Sequence, residues 1–260
     1  MKNRDMLLEI AKTDDERILL SRVLDISRYV KENFEVKTTQ FLNGHELVLA
    51  QRVLSKTGVC FSAFGGYDDA QRKVIACYPD FIHLQNEDFP INIIQISGRE
   101  LGTLSHRDYL GSILGLGIKR EKIGDIILTE QGGYLFCFSD ISNYIISQLE
   151  KVRNKGVKLQ ICDKLSIQLP EKKFKEIFST VASLRLDAVI SAATAISRNE
   201  AADLIKSGKV TLNWEQTESA SDIVDTGQII SIKGMGRMEV SEIKGITKKG
   251  RLGIITKRYI

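Results

Sequence analysis

The residues best placed to do chemistry lie near the C-terminus. In Ser197-Arg198-Asn199-Glu200 a hydroxyl and a carboxylate stand three residues apart, the spacing of a reciprocal helix cap in which each side chain takes the other residue's backbone amide. Along the helix so opened, Arg198, Ala202 and Lys206 fall on one flank. The small Ala202 leaves a shallow surface between two cations, where a phosphate–ribose backbone can approach. Arg185, at the start of the preceding helix, and Lys209, just beyond Gly208, extend the strip. Lys233 and Arg237 are assigned to the same set of contacts. Guanidinium groups suit this work because their planar fork matches phosphate oxygens. The competing arrangement pairs Arg185 and Arg198 with Asp187, Glu200 or Asp203. A second cationic group, Lys119, Arg120 and Lys122, follows the tight turn at Gly115-Leu116-Gly117 and is expected at the surface as a further phosphate contact.

Other fragments imitate catalytic motifs and fail on a required residue. His106-Arg107-Asp108 has the order of a kinase catalytic loop, but Ile113 stands where a metal-binding Asn is needed. Gly115-Leu116-Gly117 begins like a nucleotide loop, yet Arg120 takes the place of the third glycine. Gly250-Arg251-Leu252-Gly253 matches a pseudouridine synthase motif except at its end, where glycine replaces the catalytic aspartate and offers neither nucleophile nor base. His45, His83 and His106 lie in separate elements, and Cys60, Cys77, Cys137 and Cys162 form no C-x-x-C pair. These spacings point to no zinc site and to reduced thiols. The expectation is a protein without catalytic residues, metal, cofactor or small-molecule substrate.

Charge separates the two ends of the chain. Of 37 Lys+Arg and 33 Asp+Glu, residues 1–100 hold 13 and 15, leaving 24 and 18 for the rest. Beyond Glu242 come Lys244, Lys248, Lys249, Arg251, Lys257 and Arg258 with no acid among them. Such asymmetry favours a polyanion at the C-terminal end. No apolar run is long enough to cross a bilayer and no signal-peptide core precedes the first helix, so a cytoplasmic, membrane-free protein is expected.

These side chains must be positioned by three successive segments of an α+β chain. Residues 1–73 read as a small helical N-terminal domain: Thr13 caps a helix reaching Asn33, a second helix spans Gly44 to Ser55, and Phe61, Phe64 and Gly65-Gly66-Tyr67 mark a loop. Residues 74–178 read as a ferredoxin-like β-α-β-β-α-β domain. Its strands are Ile91–Ile96, Ile123–Leu128, Tyr134–Phe138 and Val157–Cys162, its helices Ser105–Leu116 and Ser139 to about Lys155, and Val74–Tyr78 is an added edge strand. Gly132-Gly133 is the expected hairpin turn. Tyr134, Phe136 and Phe138 alternate on one strand; without an aromatic on the first strand they are expected to face the core rather than stack RNA bases. Residues 179–260 read as two helices and a small twisted sheet, with strands Lys209–Asn213, Gln228–Lys233, Met238–Ile243 and Leu252–Tyr259.

Several of these stretches also carry a resemblance. Ser183-Leu184-Arg185-Leu186-Asp187, Ser197–Ala201, Ile205–Asn213, Gly227 and Gly234-Met235-Gly236-Arg237 resemble the S-four (alpha-L) RNA-binding domain. Trp214 departs from its usual glycine and Gln228 from its frequent aspartate; neither belongs to the cationic strip. Phe64-Gly65-Gly66-Tyr67 with Ala70–Lys73, His106–Gly111 and Leu114–Asp125 extend the likeness over nearly the whole chain to the YlmH family of bacterial proteins, into which Asn213-Trp214 also fits. The resemblance implies a ribosome-associated RNA-binding protein, linked to the large subunit with peptidyl-tRNA during rescue of stalled translation. The expected partners are therefore ribosomal RNA, tRNA and the large subunit. Family members also lie near cell-division genes, so a division scaffold contacting proteins through the N-terminal segment is the alternative, and an RNA-modifying enzyme a third.

Overall fold

A computed structural model describes residues 2–162, 169, 174–247 and 250–259. Lys248 and Lys249, part of the C-terminal basic run, lie outside the described residues. The chain divides into two compact units, residues 1–170 and 171–260.

The first unit opens with α1 (Lys2–Leu8), α2 (Asp14–Asn33), β1 (Lys37–Thr38), α3 (Gly44–Leu54), β2 (Cys60–Phe64) and β3 (Val74–Tyr78). The Thr13 hydroxyl accepts from the Glu16 amide and starts α2, while Asn43 and Glu46 close a reciprocal cap on α3. Leu20, Val23, Ala50, Val53 and Leu54 are buried where the helices face one another. The three strands form an antiparallel sheet in the order β1-β3-β2. Two expectations are corrected here. The segment from Phe61 to Phe64 is strand rather than loop, and Val74–Tyr78 is the central strand of this N-terminal sheet rather than an edge of the next one. The reason lies in burial: Ile75 and Cys77 pack toward α2 and α3, and Val74 and Ala76 pack with Phe41, Phe89, Ile91 and Phe138. A strand covered on both faces loses the alternation that would place it from sequence.

The β-α-β-β-α-β order holds in the following segment: β4 (Ile91–Ser97), α4 (His106–Leu114), β5 (Ile123–Thr129), β6 (Gly132–Phe138), α5 (Ser139–Gln148), then a small hairpin of β7 (Lys151–Val152) and β8 (Lys155–Gly156), then β9 (Lys158–Cys162). The sheet runs β5-β6-β4-β9, antiparallel throughout. Two boundaries differ from expectation. Helix α5 stops at Gln148, because Val152 is drawn into the core and Arg153, at φ 54, turns the chain back. Gly132 and Gly133 lie inside β6, where Gly132 sits so close to the Ile96 carbonyl that a side chain would overlap it. The two faces of β6 have different neighbours. Leu135 and Cys137 join the core under α4 and α5. Phe136 and Phe138 point the other way, into the N-terminal elements, with Tyr67 at 4.9 Å from Phe136 and Phe41 edge-on at 5.2 Å from Phe138.

The second unit holds β10 (Phe174–Val181), α6 (Leu186–Thr194), α7 (Arg198–Lys206), β11 (Val210–Leu212), β12 (Glu215–Gln216), β13 (Ile229–Ile232), β14 (Gly236–Ile246) and β15 (Leu252–Tyr259). Its antiparallel sheet runs β10-β15-β14-β13-β11-β12. Strand β10, which the sequence left unassigned, pairs residue for residue with β15 from Phe174–Tyr259 to Val181–Leu252. The helices bury Leu186, Val189, Ile190, Ala193, Ala201 and Ile205 against Val210, Ile230, Ile232, Met238, Val240 and Ile254. Among the described residues no helix is long and apolar enough to cross a membrane, and no cluster of His, Cys, Asp and Glu could hold a metal ion. Burial pushes the Cys77 and Cys137 thiols up to about 12, so both are inert in the core.

Candidate nucleic-acid interface

Helix α6 has no side-chain cap. Its first amides are satisfied by backbone instead: Leu186 donates to the Asp222 carbonyl and Asp187 to that of Ala220. This leaves the Asp187 carboxylate, in a residue only 5% exposed, free to turn toward the arginines. Arg185 reaches it with Nε at 3.2 Å from Oδ1 and Nη2 at 3.1 Å from Oδ2. Arg198, the first residue of α7, reaches it with Nη2 at 3.1 Å from Oδ1 and Nε at 3.1 Å from Oδ2. Two guanidinium groups thus hold one carboxylate: Oδ1 accepts a hydrogen bond from each arginine, Oδ2 accepts one from Arg185, and the Arg198 Nε adds an ion-pair contact to Oδ2. Burial alone would raise the Asp187 carboxyl, but the hydrogen bonds and charges of Arg185 and Arg198 outweigh it and hold it below the usual range. The same hydrogen bond raises Arg185. The competing arrangement is therefore realised at Asp187, while Glu200 caps its own helix through Ser197.

Pairing does not bury the cations. The Arg185 and Arg198 side chains stay 37% and 51% exposed against 7% for Asp187. Arg185 spends two of its five donors on the carboxylate and Arg198 spends one. The triad keeps one net positive charge and a fixed orientation, which suits an anion arriving from solvent. Lys206, two helical turns from Arg198 and about 12 Å along the axis, is exposed. Lys209 and Lys233 are brought together, because the Lys233 amide donates to the Lys209 carbonyl at 2.9 Å where β11 begins and β13 ends. Both are exposed, and Arg237 is half-buried on β14 opposite Ser231.

The chain is 33% identical over 245 residues, 94% of its own length and 95% of the other's, to a Bacillus subtilis (strain 168) protein described as "Ribosome-associated protein quality control protein P2". It belongs to the YlmH family. Family models agree along its length: "YlmH, N-terminal" matches residues 15–81, "Putative RNA-binding domain in YlmH" residues 85–166, and the S4 domain, the S-four domain above, residues 184–230. A solved Streptococcus pneumoniae structure described as "Cell division protein ylmH" shares the fold at a TM-score of 0.55 and 21% identity, covering 61% of this chain and 98% of that one.

The YlmH-like motifs of the first unit converge on a second carboxylate. Asp125, 9% exposed, accepts from the Tyr67 hydroxyl at 2.8 Å and from the amides of Gln71 at 2.6 Å and Arg72 at 3.2 Å. Burial and the Asp125 charge push the Tyr67 hydroxyl far up, so it remains a donor. Arg72 binds the carbonyls of Ile123 and Phe41 at 3.1 and 2.8 Å. Here the surface placement of Lys119, Arg120 and Lys122 is corrected. Arg120 turns inward and donates to the Ile123 and Gly124 carbonyls at 2.5 and 3.2 Å. Burial, then the like charge of Arg72, lower it to about 10, still cationic at neutral pH. Lys122 lies 2.6 Å from Asp140 and 4.8 Å over the Phe138 ring. Of the three, Lys119 is exposed and the other two are half-buried. His106, lowered by burial and then by Arg120, is neutral at pH 7. The role of Asp125 was missed; the only signal in the sequence was that Tyr67, Arg72, Arg120 and Asp125 all fall within the motif stretches.

Proposed function

We propose that this YlmH-family chain is a non-catalytic protein that binds structured RNA through the Arg185–Arg198–Lys206 surface, with Lys209, Lys233 and Arg237 as flanking contacts. The observation that carries the reading is the pairing of both arginines with Asp187, which aims two half-exposed guanidinium groups and uses only three of their donors. The quality-control relative supports a ribosomal setting, and we take the RNA to be ribosomal RNA or tRNA on the large subunit, in cytoplasmic rescue of stalled translation. Gly253, buried in β15 where a modification enzyme would need its aspartate, supports the non-catalytic reading.

Changing Arg185, Arg198 and Lys206 together to alanine should weaken binding to ribosomal RNA tenfold or more at moderate salt. It should also flatten the salt dependence by about one unit of slope per lost phosphate contact. Unchanged affinity in a variant with wild-type circular dichroism overturns the reading. In gradients the protein should travel with ribosomal subunits at low salt and leave them at high salt; finding it free throughout favours a protein-binding division scaffold instead.

A further inference from the structure

The S4 match ends at residue 230, and the sheet beyond it carries a surface that Arg185, Arg198 and Lys206 do not use. On β10, Ser179 and Val181 point toward α6 and the core, so Phe174, Glu176, Phe178 and Thr180 share the opposite face. The register sets Tyr259, Lys257, Ile255 and Gly253 of β15 beside them in turn. Phe178 is 63% exposed and Phe174 43%. Large rings so exposed on a regular strand are uncommon, and two of them four residues apart stand about 13 Å from one another along the strand.

Each ring is accompanied by a cation. The Lys257 ammonium lies 4.8 Å from the centre of Phe174, and that of Lys244 lies 5.6 Å from the centre of Phe178. Arg251 is fastened beside them, its Nε 3.1 Å from the Thr180 hydroxyl and its Nη2 2.6 Å from the Thr180 carbonyl. Beneath Phe178 is Gly253: a side chain there would sit 3.5 Å from the ring. The tighter approach at Gly253 is to the Lys244 Cβ, 3.2 Å from such a side chain, so β14 and the ring both lie close over this strand. Covering a strand glycine accounts for that contact but not for the exposure that remains. The acids of this face are Glu176, Glu239 and Glu242, of which Glu239 accepts from the Tyr259 hydroxyl at 2.8 Å.

Flat rings interleaved with lysine and arginine on an open sheet are the elements that hold unpaired nucleotides: bases stack on the rings and phosphates take the cations. We propose that the outer face of β10, β15 and β14 binds single-stranded RNA by base stacking on Phe178 and Phe174, with Lys244, Arg251 and Lys257 on the phosphates. The inference rests on the reading that the chain binds RNA, and adds an unpaired segment to the structured one. Lysine stems are flexible, so an arriving base takes the ring face and leaves the ammonium beside its phosphate.

The test uses the full chain and two probes, a short labelled oligouridylate and an RNA duplex of the same length. Phe174→Leu with Phe178→Leu keeps an apolar surface but removes the stacking rings. It should lower oligouridylate affinity about tenfold or more and leave duplex affinity within twofold. Phe174→Tyr with Phe178→Tyr should retain both. Wild-type oligouridylate affinity in the leucine variant overturns the proposal, as does equal loss in the leucine and tyrosine variants. If wild-type protein binds ribosomal RNA through Arg185 and Arg198 but ignores the rings, only this inference falls. If it binds no RNA at all, the underlying reading falls with it.

Discussion

Both units place two arginines near a buried aspartate, and they use the same ingredients in opposite ways. Around Asp125 the carboxylate takes backbone amides and a tyrosine hydroxyl, while Arg72 and Arg120 spend their donors on the carbonyls of Phe41, Ile123 and Gly124. The donors so engaged face inward, and burial lowers both guanidinium groups. Around Asp187 the arginines bond the carboxylate itself, stay partly in water, and Arg185 is raised rather than lowered. The first arrangement fastens the N-terminal elements to the middle sheet; the second presents charge. The aromatic residues divide the same way. Phe136 and Phe138 are covered by Tyr67 and Phe41, whereas Phe178 and Phe174 stand open.

The comparison breaks most sharply at Asp125. Replacing it with alanine strands the Tyr67 hydroxyl and two amides in a buried setting beside two arginines, and should cost about 3–5 kcal/mol. Arg72→Ala should cost about 2–3 kcal/mol through its two carbonyl bonds. Calorimetry should show the loss in the transition of the first unit while that of residues 171–260 stays in place. Reduced ribosomal-RNA affinity in a folded Asp125→Ala protein, without a fall in melting temperature, would show the cluster to be a contact site after all.

Asp187 sharpens the other half. If it merely neutralised the arginines, Asp187→Asn would add net positive charge and strengthen RNA binding at every salt concentration. If it orients them, the same change should weaken binding to structured RNA several-fold and cost about 1–3 kcal/mol of stability. We expect the second outcome. The pH dependence has a defined sign. The carboxyl is held below its ordinary value of about 3.9, so its contribution is fully present above that pH and is lost as pH falls through the depressed value. Wild type and Asp187→Asn should therefore differ in stability from pH 7 down to about 4 and converge below it; a constant gap down to pH 2 would contradict the linkage.

How much of this was legible in the sequence depended on the distance between partners. Caps work over three residues, so Thr13 with Glu16 and Ser197 with Glu200 gave two helix starts correctly. The β-α-β-β-α-β order was legible because each strand and helix carries its own local pattern and turn residues, although only β5 and β6 pair as neighbours along the chain. Strand β10 was not, since its partner β15 lies about eighty residues away and its own pattern mixes exposed rings with charge. Val74–Tyr78 was recognised as a strand but given to the wrong sheet, because its pairing with Lys37–Thr38 leaves no local trace. At the site, helical spacing found the Arg198–Lys206 flank. It could name Asp187 only among three candidate acids, and it could not see Arg120 turn inward, since a run of basic residues after a turn reads as surface unless carbonyls three and four residues on capture one of them.

The smallest expected effect tests whether the middle region touches RNA at all. Of the three cations that follow the Gly115–Gly117 turn, Arg120 is held by carbonyls and Lys122 by Asp140, which leaves Lys119 as the exposed one. Lys119→Ala should leave stability unchanged, because an exposed lysine without a partner contributes within about 0.5 kcal/mol. On RNA it removes at most one phosphate contact, so the salt slope should fall by no more than about one unit. Lys122→Ala separates the effects: its half-exposed pair with Asp140 is worth about 0–1 kcal/mol, and it should change the slope less than Lys119→Ala does. A slope unchanged by Lys119→Ala removes the group after the Gly115–Gly117 turn from the phosphate contacts. A loss larger than one unit would mean that the first unit presents charge too, and that the contrast between the two carboxylate clusters holds for their arginines but not for the units that carry them.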